Sequence, residues 1–486
     1  MTIETSAETA EGAESAESAV SAELLAPLDL AFWHLESAEH PMHLGALALF
    51  GGDEDSPDGE DLLDLLAARA AAIPRLRLSV RNTWLPLGGS AWVAAQDFDV
   101  RRHVRRILLP AEGFAAEAAL LAGELMERPL ARGLPPWEMY VLTADRGGEC
   151  AVLVKLHHAL ADGMRAVAIG AGIFDQIAGA KARPVRARTT RPQVPPARFP
   201  GPGRAVGLAR DRLGEVGQVL GIGASVVRAG RLHTLLPLPG GGPDALAARS
   251  SGTRRLTTAA LDLDDVHRVR RACGGTANDV LLAVVAGALR RWMGERGEPA
   301  GGDPRALVPV SRRRPGGGSA ASGNLLSAYL LSLPVTEPDP LVRLAVVRDG
   351  MARNKAAGPS RGAGAVALLA DQLPAFASKL GAPLAGSAAR ALFDVLVTSV
   401  PLPRTELSLG GRPLRAVYPM APLARGQSLA VALSTYGGQV QVGVVADGKA
   451  VPDGDRLAGC VGEELAVLVR AVGAEVRTGP QPRPFT

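Results

Sequence analysis

The stretch "VLVKLHHALADG" runs apolar like a strand and then sets two titratable rings side by side, His157 and His158, followed at a short distance by Asp162 and Gly163. The chain holds eight histidines, and two are spent here. In extended backbone, adjacent side chains point to opposite faces, so the two rings cannot share one task. One is expected to face the core and the other a cleft. A neutral imidazole, with an ordinary pKa of about 6.5, can take a proton from an alcohol, amine or thiol at neutral pH. His158 and Asp162 are four residues apart across a strand-to-helix turn, and Gly163 permits close backbone approach there. The bland alternative is a histidine pair satisfied by backbone hydrogen bonds inside a core, and spacing alone does not choose between the two.

Other chemistries fit less well. Metal-binding histidines come with further His, Cys, Asp or Glu ligands, whereas "HHALADG" is not H-E-x-x-H and no second histidine cluster follows. No metal and no permanently bound cofactor is expected. Nothing matches G-x-S-x-G, so an acyl-enzyme on a serine elbow is not expected either. With an activated thioester as donor, direct attack by a base-activated acceptor suffices. Cys150, in the same strand, reads as core.

The elements around the motif alternate irregularly between helix and strand. "LLAPLDLAFWHLESAEHPMHLGALALF" predicts a short helix and a strand over 43–50, and "DGEDLLDLLAARAAAI" and "AEGFAAEAALLAGELMERPL" predict amphipathic helices. "PPWEMYVLTA" and "ECAVLVKLHH" read as adjacent strands, with a helix over 164–177 whose start Asp162 can cap. In the second half, "RRLTTAALDL", "RALVPVSRR", "NLLSAYLLSLPV" and "FDVLVTSVPLP" read as strands. "LDDVHRVRRAC" and "TANDVLLAVVAGALRRWM" read as helices, the latter capped by Thr276 or Asn278, with Asp279 as a first-turn acid. "YGG" reads as a hairpin turn before the final helix. The expected fold class is α/β, with two mixed domains. The expected boundaries are an acidic tail over 1–23, a domain over 24–179 that carries the histidines, a linker with surface helices over 180–250, and a second domain over 251–486.

Composition narrows the function. A chain of 486 residues suits two cores. A net charge of +4 argues against a nucleic-acid partner, which would call for a concentrated patch of phosphate contacts. The one basic run, "KARPVRARTTRPQVPPARF", has six basic residues and four prolines and reads first as a solvated linker. The first residues carry six glutamates and no Lys or Arg, opposite in sign to a targeting leader. Cys150, Cys273 and Cys460 stand far apart and give no disulfide framework. No run reaches the roughly 18 apolar residues of a membrane-spanning helix. There is neither a dinucleotide glycine fingerprint nor a phosphate loop.

"HHALADG" matches the H-H-x-x-x-D-G motif of the CoA-dependent acyltransferase superfamily. From about Leu25 to Val469 the chain resembles, more narrowly, the bacterial wax ester synthase/acyl-CoA:diacylglycerol acyltransferase family. The resemblance is carried by "LAPLDLAFWHLES" with "PMHLGALALF", "ERPLARGLPPWEMYVL", the Asn278-Asp279 pair in "TANDVLLAVVAGALRR", "RALVPVSRR", "GNLLSAYLLSLPV" and "VYPMAPLARGQSLAVALSTYGGQVQVGVVAD", in that order. It implies two chloramphenicol-acetyltransferase-like domains with a substrate tunnel between them. Long-chain acyl-CoA would be the co-substrate, and a diacylglycerol or fatty alcohol the acceptor. By that resemblance His158 is the general base, His157 supports the local geometry, Asp162 holds the loop and Gly163 leaves room for substrate. Asn278 and Asp279 would position the motif or help to stabilise the tetrahedral intermediate. The oxyanion donor stays open among Asn278, a backbone N–H and a hydroxyl such as that of Ser434. The implied location is cytoplasmic, peripheral to the inner membrane face or a lipid droplet.

One segment departs from the family pattern. Many relatives read Asn-Val-Pro-Gly-Pro where this chain has "TSVPLPR", with Ser399 and Leu402, so a flexible glycine is replaced by bulk. Trp137 and Met139 read as strand packing rather than substrate contacts. Two other functions stay open from sequence: the same fold acting on a specialised metabolite or a carrier-protein thioester, and a lipid-binding protein with an idle tunnel.

Overall fold

The computed structural model describes residues 23–52, 59–83, 89–146, 148–176, 244–298, 301–311, 326–357 and 393–478. The acidic tail, the basic run and the expected surface helices of the linker lie outside the described residues. In the first half the chain forms β1 (Glu23–Leu24), α1 (Pro27–Leu35), β2 (His43–Phe50), α2 (Gly59–Ala72), β3 (Leu78–Asn82), β4 (Ser90–Ala94), β5 (Val104–Leu109), α3 (Phe114–Glu127), β6 (Trp137–Ala144), β7 (Cys150–His157), α4 (Gly163–Ile173) and β8 (Asp175–Gln176). The second half forms β9 (Arg254–Asp262), α5 (Leu263–Cys273), α6 (Ala277–Glu295), β10 (Arg305–Ser311), β11 (Leu326–Ser332), α7 (Pro340–Ala357), β12 (Val395–Pro401), β13 (Leu407–Leu409), β14 (Arg412–Met420), β15 (Leu429–Tyr436), β16 (Gln439–Asp447) and α8 (Gly454–Thr478).

The described strands build a seven-stranded sheet in the order β5-β6-β7-β2-β14-β13-β8, a six-stranded sheet in the order β11-β10-β12-β15-β16-β9, and a small sheet β1-β4-β3. Alternation along the strands decides what each face meets. On β6, Met139 and Val141 join Leu62, Leu66 and Ala70 of α2, whereas Tyr140 and Leu142 join Phe114, Ala118, Ala122 and Leu125 of α3. The second sheet repeats this. Val431 and Leu433 face a core with Val280, Val284 and Trp292 of α6 and Leu465 of α8, while Ala430 and Ala432 face α3 and Met420. Helix α6 is apolar nearly all round because it lies in that core. Among the described residues no single helix is long and apolar enough to cross a membrane.

Helix α3 is the bolt between the halves. Its last carboxylate, Glu127 Oε1, accepts the Arg254 N–H at 2.7 Å, and its Gly123 lies so close to β9 that a β-carbon would stand 2.7 Å from the Arg254 carbonyl oxygen. Strands β13 and β14 are the other bond. They belong to the second half of the chain but complete the first sheet, with Tyr418 opposite Leu47 of β2. The division of the chain near residue 250 therefore does not separate the two sheets. Where β14 passes beneath β16, Gly443 faces the Pro419 carbonyl with no space for a side chain.

Most expected elements are present. The "YGG" turn is a tight hairpin with positive φ at Gly437 (57°) and Gly438 (77°). Helix α4 is shorter than its apolar pattern predicts. It ends at Ile173, because Asp175 is drawn off to Arg69 (2.7 Å) and to the Gly410 N–H (3.2 Å), where β8 joins β13.

We expect Gly443→Ala to lower stability by about 1–3 kcal/mol or more, through overpacking against backbone. Gly462→Ala, on the exposed side of α8 where a β-carbon meets nothing, should raise it by up to about 1 kcal/mol. Urea-unfolding midpoints of the two variants would check both signs.

Candidate active site

Strand pairing builds the site. In the antiparallel β2–β7 ladder His43 stands opposite His157. The His158 N–H extends the ladder by one step, donating to the Met42 carbonyl at 2.8 Å. The chain then turns sharply, and the N–H groups of Leu160 and Ala161 return to the His157 carbonyl at 2.8 and 3.3 Å. Asp162 ends the turn as the N-cap of α4, its Oδ1 accepting the Arg165 N–H at 2.7 Å. Asp162 is thus a buried loop-holder, 2 % exposed. Gly163 is the first residue of α4, and a β-carbon there would lie 3.6 Å from Val400 Cγ2 at the end of β12. The histidine loop therefore lies where the two halves touch. Leu402, just beyond β12, packs against the first half's core.

A carboxylate lies behind the motif. Glu36, at the end of α1, has its side chain 4 % exposed, with Oε1 3.1 Å from His43 Nε2 and 3.4 Å from His157 Nε2. Its Oε2 meets Arg132 at 2.6 Å. Burial alone would raise the Glu36 carboxyl, but the contacts with His157 and His43 outweigh it and hold the group well below the usual carboxylate range. His157 Nδ1 accepts the Ala159 N–H at 3.0 Å, which assigns the ring proton to Nε2, on the Glu36 side. Burial lowers His43 to about 4, against the pull of Glu36. On the strand face shared with His157, the fully buried Lys155 donates to the carbonyls of Leu125 (2.8 Å) and Arg128, pinning the end of α3 to β7.

The two histidines divide as the alternation predicts. His157 is fully buried, with Trp33 edge-on at 4.9 Å between ring centroids. His158 is half-buried and carries the Phe32 ring stacked on it, centroids 4.0 Å apart at 22°. Its Nδ1 is enclosed, yet the residue keeps some surface open although its ring lies deep among protein atoms. Desolvation lowers His158 to about 4, and the neighbouring His157 adds to this while Asp162 and its own backbone carbonyl oppose it.

Phe32, Trp33, Glu36, His43 and Arg132 were not singled out from sequence as site residues. A signal was present: "FWHLE" puts two aromatics, in a chain that is only 4 % aromatic, three and four residues before a glutamate, on one helix face. Asn278 and Asp279 stand at the head of α6, where Thr276 is the cap. Asp279 Oδ2 accepts the Thr276 N–H at 2.7 Å, completing a capping box, which gives this acid a local structural task. The Ser434 hydroxyl donates to the Val417 carbonyl at 2.6 Å and is buried under β14, so it is committed elsewhere and not offered as an oxyanion donor. Cys150 is core, its thiol pushed up to about 11 by burial. Met139 and Trp137 are fully buried, with Trp137 Nε1 donating to the Leu76 carbonyl at 2.7 Å. Among the described residues, Glu295, Cys460 and Glu463 come within metal-ligand reach of one another, but Arg456 binds both carboxylates. A cavity of about 610 Å³ opens among Gly287, Arg290, Arg343 and Glu464, and none of its lining residues belongs to the histidine loop.

Residues 25–281 match the family model described as wax ester synthase/diacylglycerol acyltransferase catalytic domain, and residues 322–468 match the WS/DGAT C-terminal domain. The probable diacylglycerol O-acyltransferase tgs1 of Mycobacterium tuberculosis is 32 % identical over 452 residues, covering 92 % of this chain and 95 % of its own length. A second protein of that organism, probable diacylglycerol O-acyltransferase tgs2, is 31 % identical over 459 residues, covering 93 % and 100 %. Among solved structures, the wax ester synthase/diacylglycerol acyltransferase from Marinobacter aquaeolei VT8 has the same fold, with a TM-score of 0.66 at 23 % identity, over 93 % of this chain and 100 % of that one.

The site makes the fold sensitive to acid. His43 and His158 titrate at about 4 in the folded chain and about 6.5 unfolded, so the unfolded state binds more protons between those values. Stability conferred by the neutral rings is full above pH about 6.5 and is lost as pH falls toward about 4; the depressed Glu36 adds a further loss below about 4.5. Near pH 5 unfolding should take up about two protons at these rings, and His43→Asn should remove about one, as read from the pH dependence of urea-unfolding free energies.

Proposed function

The chain belongs to the wax ester synthase/diacylglycerol acyltransferase family, acyl-CoA-dependent O-acyltransferases that move a long-chain acyl group to a lipid hydroxyl, and we propose that His158 is the general base of its reaction. The observation that carries this assignment is the division of the histidine pair. His157 is buried, against Glu36 and holding the Ala159 N–H, whereas His158 keeps part of its surface open, stacks on Phe32 and sits in the loop whose Gly163 meets β12 of the second half.

In this mechanism the acceptor hydroxyl gives its proton to His158 as its oxygen bonds to the thioester carbonyl carbon. The tetrahedral intermediate then breaks its C–S bond, and the imidazolium returns the proton to sulfur, leaving an ester and CoA thiol. No serine or cysteine is acylated. A ring lowered to about 4 is neutral, and so competent as a base, at neutral pH. The negative charge developing on the acceptor and then on the carbonyl oxygen favours the imidazolium as the reaction proceeds. Asp162 holds the loop, and Gly163 leaves room for substrate. Asp279 caps α6 together with Thr276, and the Asn278-Asp279 pair would position the motif or help to stabilise the tetrahedral intermediate. Acyl-CoA and acceptor approach the ring along the seam between the halves.

The acceptor is a diacylglycerol or a long-chain alcohol. Because such acceptors partition into lipid, the enzyme works at a membrane or droplet surface in the cytoplasm, without a described helix that crosses it. Flotation with neutral-lipid droplets and anionic vesicles tests this, and a protein that stays in the load fraction with both would overturn it.

With palmitoyl-CoA, CoA release should depend on added hexadecanol or dioleoylglycerol. His158→Ala should lower it by about 10²–10⁴-fold. The wild-type rate should be nearly flat from pH about 5.5 to 8, because the base is already neutral throughout that range. A limb near 6.5 that vanishes in another histidine variant would reassign the base.

A further inference from the structure

We infer that Phe32 is a positioning residue for the acyl-transfer reaction: its ring fixes the His158 imidazole edge-on to the reacting space and stabilises the imidazolium formed when the acceptor loses its proton. This inference rests on His158 being the base.

The geometry is that of a stack. The two ring centroids are 4.0 Å apart and the planes are inclined by only 22°. One face of the imidazole is therefore covered, and rotation about its Cβ–Cγ bond would drive it into the phenyl ring. The ring edges, which carry both nitrogens, are left uncovered by the phenyl ring. A phenyl face carries partial negative charge from its quadrupole, so a cation stacked against it is attracted, most strongly where water is excluded. Neutral imidazole gains little from that term. The stabilisation thus grows as the proton arrives, and an interaction stronger in the transition state than in the ground state is the kind that raises kcat.

The titratable neighbours of His158 are His157 beside it on β7, which disfavours a second positive charge, and Asp162 at the head of α4, which favours it. Glu36 of α1 and His43 of β2 are engaged with His157. Asp162 is further tied to the Arg165 N–H. The face of the His158 ring is met by Phe32. Helix α1 is itself held in place, since Trp33 lies against His157 and is covered by the Arg132 guanidinium at 4.0 Å, and Arg132 also bonds Glu36. One turn of helix therefore orders both histidines, Glu36 and Trp33 the inner one and Phe32 the outer.

The test uses the full chain with palmitoyl-CoA and whichever alcohol the wild type accepts. A graded series of ring-fluorinated phenylalanines at Phe32 keeps the shape of the ring while draining its negative face. We expect kcat to fall stepwise with each fluorine, to about tenfold at full fluorination, with the KM for palmitoyl-CoA changed by less than about twofold. Phe32→Leu should show a similar kcat loss and Phe32→Trp should retain activity. A kcat indifferent to fluorination, or a change confined to KM, would overturn the inference and make Phe32 a wall of the acyl or acceptor channel. The series decides even if Phe32→Leu fails to fold. His158→Ala run beside it separates the two ideas: full activity in that variant removes the base assignment and this inference together, whereas an inactive variant with a flat fluorine series removes only the inference.

Discussion

The arrangement around the histidines depends on one buried negative charge. A carboxylate 4 % exposed is costly to keep ionised unless its oxygens are engaged, and Glu36 is engaged by two imidazoles and a guanidinium. That requirement brings together α1, β2, β7 and the segment after α3, elements distant in sequence. The Ala159 N–H donated to His157 Nδ1 leaves the ring proton on Nε2, the nitrogen that faces the carboxylate. The turn shape, the cap at Asp162 and the presentation of His158 follow from that bond.

Burial then separates two rings that the sequence makes neighbours. His157 has its nitrogens turned to Glu36 and to the loop, and is spent on structure. His158 has a covered face and an open remainder. Its depressed basicity comes from removal from bulk water.

Much of this was legible beforehand. Period-two and helical patterns located the strands and helices around the motif, and alternation predicted that the two rings would part, without saying which would turn inward; the structure buries His157 fully and leaves His158 partly open. The carboxylate was not legible, because Glu36 lies 121 residues before His157 and only the antiparallel β2–β7 register brings α1 back over it. Asp279 was ambiguous for a different reason: an acid at that helix position serves a cap or a site equally well, and the distinction is one hydrogen bond to Thr276. The strands β13 and β14 escaped notice because Leu407–Leu409 is too short to show a period, and because neither strand's side chains reveal which sheet it joins.

That last crossing has a consequence for how the protein is made. When residues 23–176 have been synthesised, β2 has its partner β7 on one edge, but its other edge awaits β14, which ends at Met420. The histidine loop is thus encoded early and its sheet is closed late. An unpaired central strand is a template for wrong pairing, and contacts so far apart in sequence form slowly. The nascent chain must keep that edge covered, or in solution without a partner, across the synthesis of more than two hundred further residues (from 176 to 412).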